Sequence, residues 1–556
     1  MGVFICHCGT NIGGFLDVED IEEYTKGLPD VVFTQRNLYT CSEEGLSQIK
    51  NGIKEHNLNR VIVASCTPRT HEPLFKRVCS EAGLNPYLFN FVNIREHCSW
   101  VHMHERKQAT KKAKDLIRMG VARVRLLEPE EDIEIDVEPA CLVIGGGIAG
   151  LTASTSLAKR GFKVVLVERD ATLGGLLRDL YKLYPICEDA TNVLEGRKRE
   201  GESYPNLEIL TSSEVKEIKG FVGNYEVTVD IQYPRHGIRI IKVGVIIVAT
   251  GAKVLIPEGL YGYDGKRIIT QLELEKRLKE EREKLKRLNN IVMIQCVGAR
   301  GDKRAYCSKV CCMVAIKNAT LISRLNPEAK IYIIYRDIIQ VHGTEYEDYY
   351  REARDAGILF VRYHPENEPV VSDEYVKIYD EMLGEDILIP YDLLVLSTPL
   401  VSWEDASNLA KMLKVPLDEN RFFLEAHVKL RPLDFATDGI YVCGTCHWPV
   451  SVPEAVSQAL GAAARASIPM ANKKVRVESI ISEVDKDKCI ACGLCASVCP
   501  YKAIEIKKTE GGKKAEVISA SCKGCGSCGA SCPMSAITMH QFTDEQILSQ
   551  VKAVLP

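Results

Sequence analysis

Short apolar runs alternate with longer amphipathic stretches along most of the chain, a rhythm that predicts parallel α/β layers with helical crossovers. In the first part, residues 3–5, 31–33, 61–64 and 87–91 predict strands, and 17–26, 43–55 and 72–82 predict helices. Residues 105–125 are helical and basic, read as a link with a solvated face. Residues 141–170 run strand, glycine loop, helix, strand, and 243–252 predict a buried strand ending at a glycine. Between them, 207–210 and 225–230 predict antiparallel strands. Residues 270–287 alternate acid and base at helical spacing and predict an exposed connecting helix. A second strand–loop–helix–strand unit follows, with strands at 291–294 and 330–335 around a helix at 313–322. Residues 391–398 predict another strand and 452–466 a helix. The uncharged stretch 139–158 holds four glycines, so it reads as a buried strand–turn–helix and no membrane span is expected.

Cysteine content changes this picture. The 556 residues include 22 Cys, a net charge of -4 and no basic leader. That balance gives no reason to expect nucleic acid as a partner. In a long chain expected to be cytoplasmic, so many cysteines imply metal ligation rather than disulfides. Cys8, Cys41, Cys66 and Cys98 each follow a predicted strand, and ligands of parallel sheets gather at the strands' carboxyl ends. One cluster is expected there, with Cys6 the substitute ligand. Cys79 and Cys141 read as core, and Cys187 as structural. In the second strand–loop–helix unit, the loop that should carry a phosphate-binding glycine motif carries Cys296, Cys307, Cys311 and Cys312. The central expectation is that an iron–sulfur cluster stands where a nicotinamide cofactor would sit. Cys489, Cys492, Cys495 and Cys499, then Cys522, Cys525, Cys528 and Cys532, repeat C-x2-C-x2-C-x3-C-P. This is the bacterial run for two 4Fe–4S clusters in which the fourth Cys serves the other cluster. The expected sets are Cys489, Cys492, Cys495 and Cys532, and Cys522, Cys525, Cys528 and Cys499.

Gly145, Gly147 and Gly150 form G-x-G-x-x-G after a strand, and Glu168, with Arg169 beside it, closes the next strand. An acid there accepts from ribose hydroxyls, so an adenine dinucleotide is expected. The following Gly174-Gly175 is similar to the extension of flavin disulfide reductases, which favours FAD. Thr250-Gly251 resembles the point where such proteins leave their FAD domain. Residues 437–444 resemble their last flavin motif, placing Gly444 at the cofactor, with Thr445 where an Asp is usual. Cys443 and Cys446 form C-x-x-C, with Cys443 at a normally small buried position.

Over nearly its whole length the chain resembles the A-type subunits of the heterodisulfide reductases, a family of FAD and iron–sulfur proteins. The resemblance is carried by I-C-H-C-G-T-N-I-G-G, A-S-C-T-P-R-T-H-E, N-I-R-E-H-C-S-W-V-H, V-I-G-G-G-I-A-G, the C-V-G-A-R…Y-C-S-K-V-C-C run and the doubled ferredoxin motif. It implies an α/β fold. A small parallel α/β domain (1–130) with a cluster precedes a thioredoxin-reductase-like FAD-binding core of two Rossmann-type units (137–290 and 396–472 around a degenerate unit at 291–395). A two-cluster ferredoxin domain (480–556) follows. It also implies FAD, four 4Fe–4S clusters, and splitting or relaying of flavin electron pairs. The implied partners are B- and C-type subunits, a small iron–sulfur subunit of a hydrogenase or formate dehydrogenase, and ferredoxin, in a homodimer within a larger anaerobic complex. By the same resemblance Lys317 lies near the flavin ring, where a cation stabilises the anionic reduced form. The ferredoxin module that some relatives insert after the first FAD segment is missing: residues 176–206 hold only Cys187. The competing readings are an electron-input component of the benzoyl-CoA reductase type and a stand-alone NAD(P)H-dependent flavin oxidoreductase.

Overall fold

The computed structural model describes residues 1–233, 236–338, 344–509 and 511–555. The chain divides into two compact units, Met1–Ile135 with Arg476–Pro556, and Asp136–Val475.

The first unit is built on a parallel sheet of β1 (Gly2–Cys6), β2 (Phe33–Asn37), β3 (Val61–Ser65) and β4 (Phe89–Asn93), in the order β2-β1-β3-β4. Its helices are α1 (Val18–Lys26), α2 (Glu43–Glu55), α3 (Pro68–Glu81) and α4 (Arg106–Val124). Side chains alternate across a strand, so Val3 and Ile5 pack with α1 and α4 while Phe4 packs with α2 and α3. Local chemistry sets the helix starts: Asp17 accepts from Asp20 N–H at 3.1 Å and Ser42 from Gly45 N–H at 3.2 Å. The strand expected at 31–33 begins instead at Phe33. Val32 is exposed, and Val31 packs at the margin of the core.

The basic helix α4 is not a free link. It buries Ala109, Ala113, Ile117, Val121 and Val124 in the sheet core. Its far end meets the C-terminal module: the Arg123 guanidinium lies 4.2 Å from the Phe542 ring and donates to Gln541 O at 2.9 Å. Gln546 Nε2 donates to Leu126 O at 2.8 Å. Only its lysine-rich outer side is solvated, with Lys107, Lys111 and Lys112 exposed.

In the second unit, the five-stranded parallel sheet runs Leu207–Leu210, Lys163–Val167, Ala140–Ile144, Val245–Val248, Ile440–Val442. Leu207–Leu210 corrects the expectation of an antiparallel strand: it lies parallel to Lys163–Val167 at the sheet's edge. The antiparallel layer is Ser213–Phe221, Asn224–Ile231 and Gly237–Val243. A second five-stranded parallel sheet runs Ile268–Thr270, Leu393–Leu396, Asn290–Ile294, Lys330–Tyr335, Leu359–Arg362. Two Rossmann-type sheets in one unit give the architecture expected of the core. The helix expected to be an exposed connector is a buried element. Gln271–Glu280 opens on a Thr270 capping box and turns Gln271, Leu274, Glu275 and Leu278 inward. Among the described residues no helix is long and apolar enough to cross a membrane.

Candidate redox site

The glycine loop sits at the carboxyl end of Ala140–Ile144 and opens the helix Ile148–Lys159. A Cβ at Gly150 would stand 1.8 Å from Gly145 O, so only glycine lets the loop lie this close to the helix. At Gly147, the helix N-cap, nothing lies within 4 Å of a Cβ position, leaving room over the first-turn N–H groups. Glu168 is buried at the end of the next strand and accepts from Gly146 N–H at 2.6 Å and Asp170 N–H at 2.8 Å. Each of its oxygens keeps a lone pair for a further donor. A cavity of about 130 Å³ opens between Gly145, Glu168, Arg169, Thr250 and Gly251, with the Arg169 guanidinium 3.8 Å from the Trp403 ring on its wall. Gly174 and Gly175 pack on the loop, Gly174 N–H donating to Gly146 O at 2.8 Å. Gly444 approaches the same helix, a Cβ there meeting Ala149 Cβ at 2.8 Å, and Thr445 follows it. The cradle fits the adenosine and pyrophosphate of a dinucleotide. Gly150→Val is therefore expected to abolish FAD retention while sparing the C-terminal clusters, read as flavin released on denaturation against iron content.

The cysteine loop follows the strand Asn290–Ile294. Cys296 takes a left-handed φ of 63°, and Cys311 and Cys312 form the first turn of the helix Cys311–Leu325. All four thiols interact: Cys311 is pushed well up by its contact with Cys312, by burial and by the charges of Cys296 and Cys307. Burial also raises Cys296 to about 11. The opposing influences are local. Arg300 lies 3.9 Å from Cys296 Sγ, Lys309 N–H donates to Cys307 Sγ at 3.2 Å, and the helix N-terminus favours thiolate. A metal centre bound here would compensate the charge of thiolates this crowded and buried.

The structure also places the remaining cysteines. Cys8, Cys41 and Cys66 lie within electrostatic reach of one another and of Cys6, at the carboxyl ends of β1, β2 and β3, with Arg95 opposing their raised thiol pKa. Cys98 is buried in the same apolar cluster as Cys6, against which Cys8 also packs. It sits on a turn of π-helix, Arg95–Ser99, after β4, and burial beneath α4 raises its thiol to about 11. In the C-terminal module Cys489, Cys492, Cys495 and Cys532 line one cavity. Cys499, Cys522, Cys525 and Cys528 line another. Among the described residues no three His, Cys, Asp or Glu groups converge on a single-ion site. Thiols ringed around a cavity suit a multi-iron cluster better than zinc, whose four ligands crowd to about 2.3 Å from one point. Cys79 and Cys141 are buried core residues, and Cys187 meets the Tyr349 hydroxyl at 3.5 Å. Cys443 and Cys446 are buried, and Cys446 reaches the wall of the dinucleotide cavity.

Lys317 lies on the cysteine-loop helix and is only 1% exposed. Its ammonium donates to Lys182 O at 2.8 Å and to the Glu275 carboxylate. The other Glu275 oxygen accepts Tyr181 N–H at 2.9 Å. Burial pushes the ammonium pKa down, against the upward pull of Glu275. Glu275 is missed by a reading of residues 270–287 as exposed, although Gln271, Leu274, Glu275 and Leu278 fall at i, i+3, i+4, i+7, the spacing of a buried stripe.

Residues 139–463 match the pyridine nucleotide-disulphide oxidoreductase family, and 482–539 match the 4Fe-4S dicluster domain. The first of two A-type iron-sulfur subunits of CoB–CoM heterodisulfide reductase from Methanopyrus kandleri is 38% identical, over 100% of this chain and 97% of its own. The corresponding protein of Methanocaldococcus jannaschii is 38% identical over 100% and 98%. This chain belongs to the heterodisulfide reductase A-type family. It is thus an oxidoreductase, a flavin and iron–sulfur electron-transfer protein, and one component of a multi-subunit complex. The match to the M. kandleri protein spans 653 positions against 556 residues here, so that relative carries internal segments absent from this chain. Among solved structures, T. acidophilum thioredoxin reductase superposes with a TM-score of 0.42 at 18% identity, covering 59% of this chain and 98% of that one.

Proposed function

We propose that this protein exchanges electron pairs at FAD with one redox path and passes single electrons through iron–sulfur clusters to others. In this reading it splits or relays electrons among a hydrogenase- or formate-dehydrogenase-type donor, ferredoxin and a disulfide-reducing module of B- and C-type subunits, as a cytoplasmic homodimer within a larger complex. The observation that carries the reading is the cysteine loop: four mutually interacting thiols occupy the carboxyl end of a Rossmann-type strand, where a reductase keeps glycines for a nicotinamide cofactor. Four clusters are proposed. Two use the ferredoxin sets, one the loop quartet, and one Cys8, Cys41, Cys66 and Cys98, with Cys6 the substitute ligand. The named relatives support the range of donors. One belongs to an H(2):CoB-CoM heterodisulfide,ferredoxin reductase of Methanothermobacter marburgensis, and another to an H(2)/formate:CoB-CoM heterodisulfide,ferredoxin reductase of Methanococcus maripaludis.

FAD, when bound, supplies the conversion between two-electron and one-electron chemistry. The first-turn N–H groups at Gly147 would hold its pyrophosphate and Glu168 its ribose hydroxyls. Lys317 would place a buried positive charge toward the ring, balanced by Glu275 in the oxidised state. Anaerobic addition of NADH or NADPH to the purified chain is expected to leave the flavin oxidised, while the native complex with its own donor reduces it. Rapid flavin bleaching by either nucleotide would instead establish the stand-alone reductase.

A further inference from the structure

Lys309 lies between Cys307 and Cys311 and takes a left-handed φ of 66°. In this conformation its backbone N–H donates to Cys307 Sγ at 3.2 Å while its ammonium pairs with Glu454. Glu454 is the third residue of the helix Val452–Asn472, and its second oxygen accepts from Ser451 N at 2.9 Å and Oγ at 3.0 Å in a capping box. Gln458, one turn further on, accepts Gly444 N–H at 2.9 Å, so this helix start is tied to the expected flavin loop. The cysteine loop is equally well fixed. Tyr306 donates to Leu400 O at 2.8 Å, and Ser308 Oγ accepts Leu400 N–H at 2.9 Å. One residue therefore touches a thiol of the cysteine loop with its backbone and the first turn of the flavin-side helix with its side chain.

We propose that Lys309 is a positioning residue that couples the cysteine-loop cluster to the flavin-side helix, through Cys307 on one side and Glu454 on the other. The proposal rests on the reading that the loop holds a cluster. One electron arriving at the loop adds one negative charge beside Lys309, and the ammonium is then shared between that charge and Glu454. Two opposite consequences follow. Removing the ammonium disfavours the reduced cluster, whereas neutralising Glu454 releases the ammonium to stabilise it. A residue that merely braced the loop would not produce opposite signs.

The test is an anaerobic potentiometric titration of the full-length holoprotein, followed by electron paramagnetic resonance, for wild type, K309Q, K309R and E454Q. At fixed potential, K309Q is expected to lower the reduced-to-oxidised ratio of the loop cluster and E454Q to raise it, each by about three- to tenfold, tenfold being 59 mV for one electron. Solvent around the partly exposed Lys309 keeps the effect toward the lower figure. K309R should stay near wild type. If K309Q loses its iron, the sign of the E454Q shift decides. Shifts of K309Q and E454Q in the same direction, or no shift in either, overturn the proposal while leaving the cluster reading intact. A wild-type chain without a loop cluster overturns both.

Discussion

Replacing Cys312 by Ala is expected to remove about four irons per chain, leave FAD bound, and cut electron flow from the flavin to the ferredoxin module to background. Cys312 is buried at the first turn of the loop helix and is the first cause of the raised Cys311 thiol pKa. With three thiols remaining, the centre loses one of the four ligands that the loop supplies. The glycine cradle for FAD lies on the other Rossmann-type sheet and keeps its contacts, so flavin content separates loss of the cluster from loss of the fold. Cys79→Ala is the control. That thiol is buried among Phe75, Val78 and Leu84, and its loss costs packing but no iron. Iron, acid-labile sulfide and flavin assays on the two variants check the prediction.

Lys317→Met carries the second large effect. It strands the Glu275 carboxylate, 0% exposed, without its counter-charge. Breaking a buried pair in this way costs about 3–5 kcal/mol, because the remaining charge is not compensated. The double variant K317M/E275Q removes both charges and is expected to regain most of that stability, as buried pairs replaced together often do. The flavin should not follow the stability. In both variants the cation expected near the ring is gone, and the two-electron potential is expected to fall by about 30–60 mV, or roughly 1.4–2.8 kcal/mol. Chemical denaturation read beside a flavin redox titration separates the two quantities. There is also a pH signature. Burial sets the folded Lys317 pKa below its unfolded value, so between the two values the unfolded chain binds more protons and stability rises with pH. That gain lies in the alkaline interval under the ordinary lysine pKa, and K317M should abolish it.

Where sequence and structure agree, the determinants are local. The glycine loop and the cysteine loop each gather their residues at one strand–helix junction, and the doubled ferredoxin run sets three cysteines of one motif beside the fourth of its repeat. What sequence left illegible depends on partners far along the chain. Leu207–Leu210 looks like any short half-buried strand, and its parallel place beside Lys163–Val167 is fixed only by the sheet. Helix α4 reads as solvated because its lysines dominate the composition, yet its alanine and isoleucine stripe is the buried face. Glu275 is concealed by the acid–base alternation around it. Its role becomes visible only with Lys317, forty-two residues later, on the facing helix.

The most direct measurement is anomalous scattering at the iron edge from crystals of the anaerobically purified chain. An iron peak ringed by Cys296, Cys307, Cys311 and Cys312 is the predicted result. Sulfur density there bridged into disulfides or packed against protein, with no iron among the four, would contradict it.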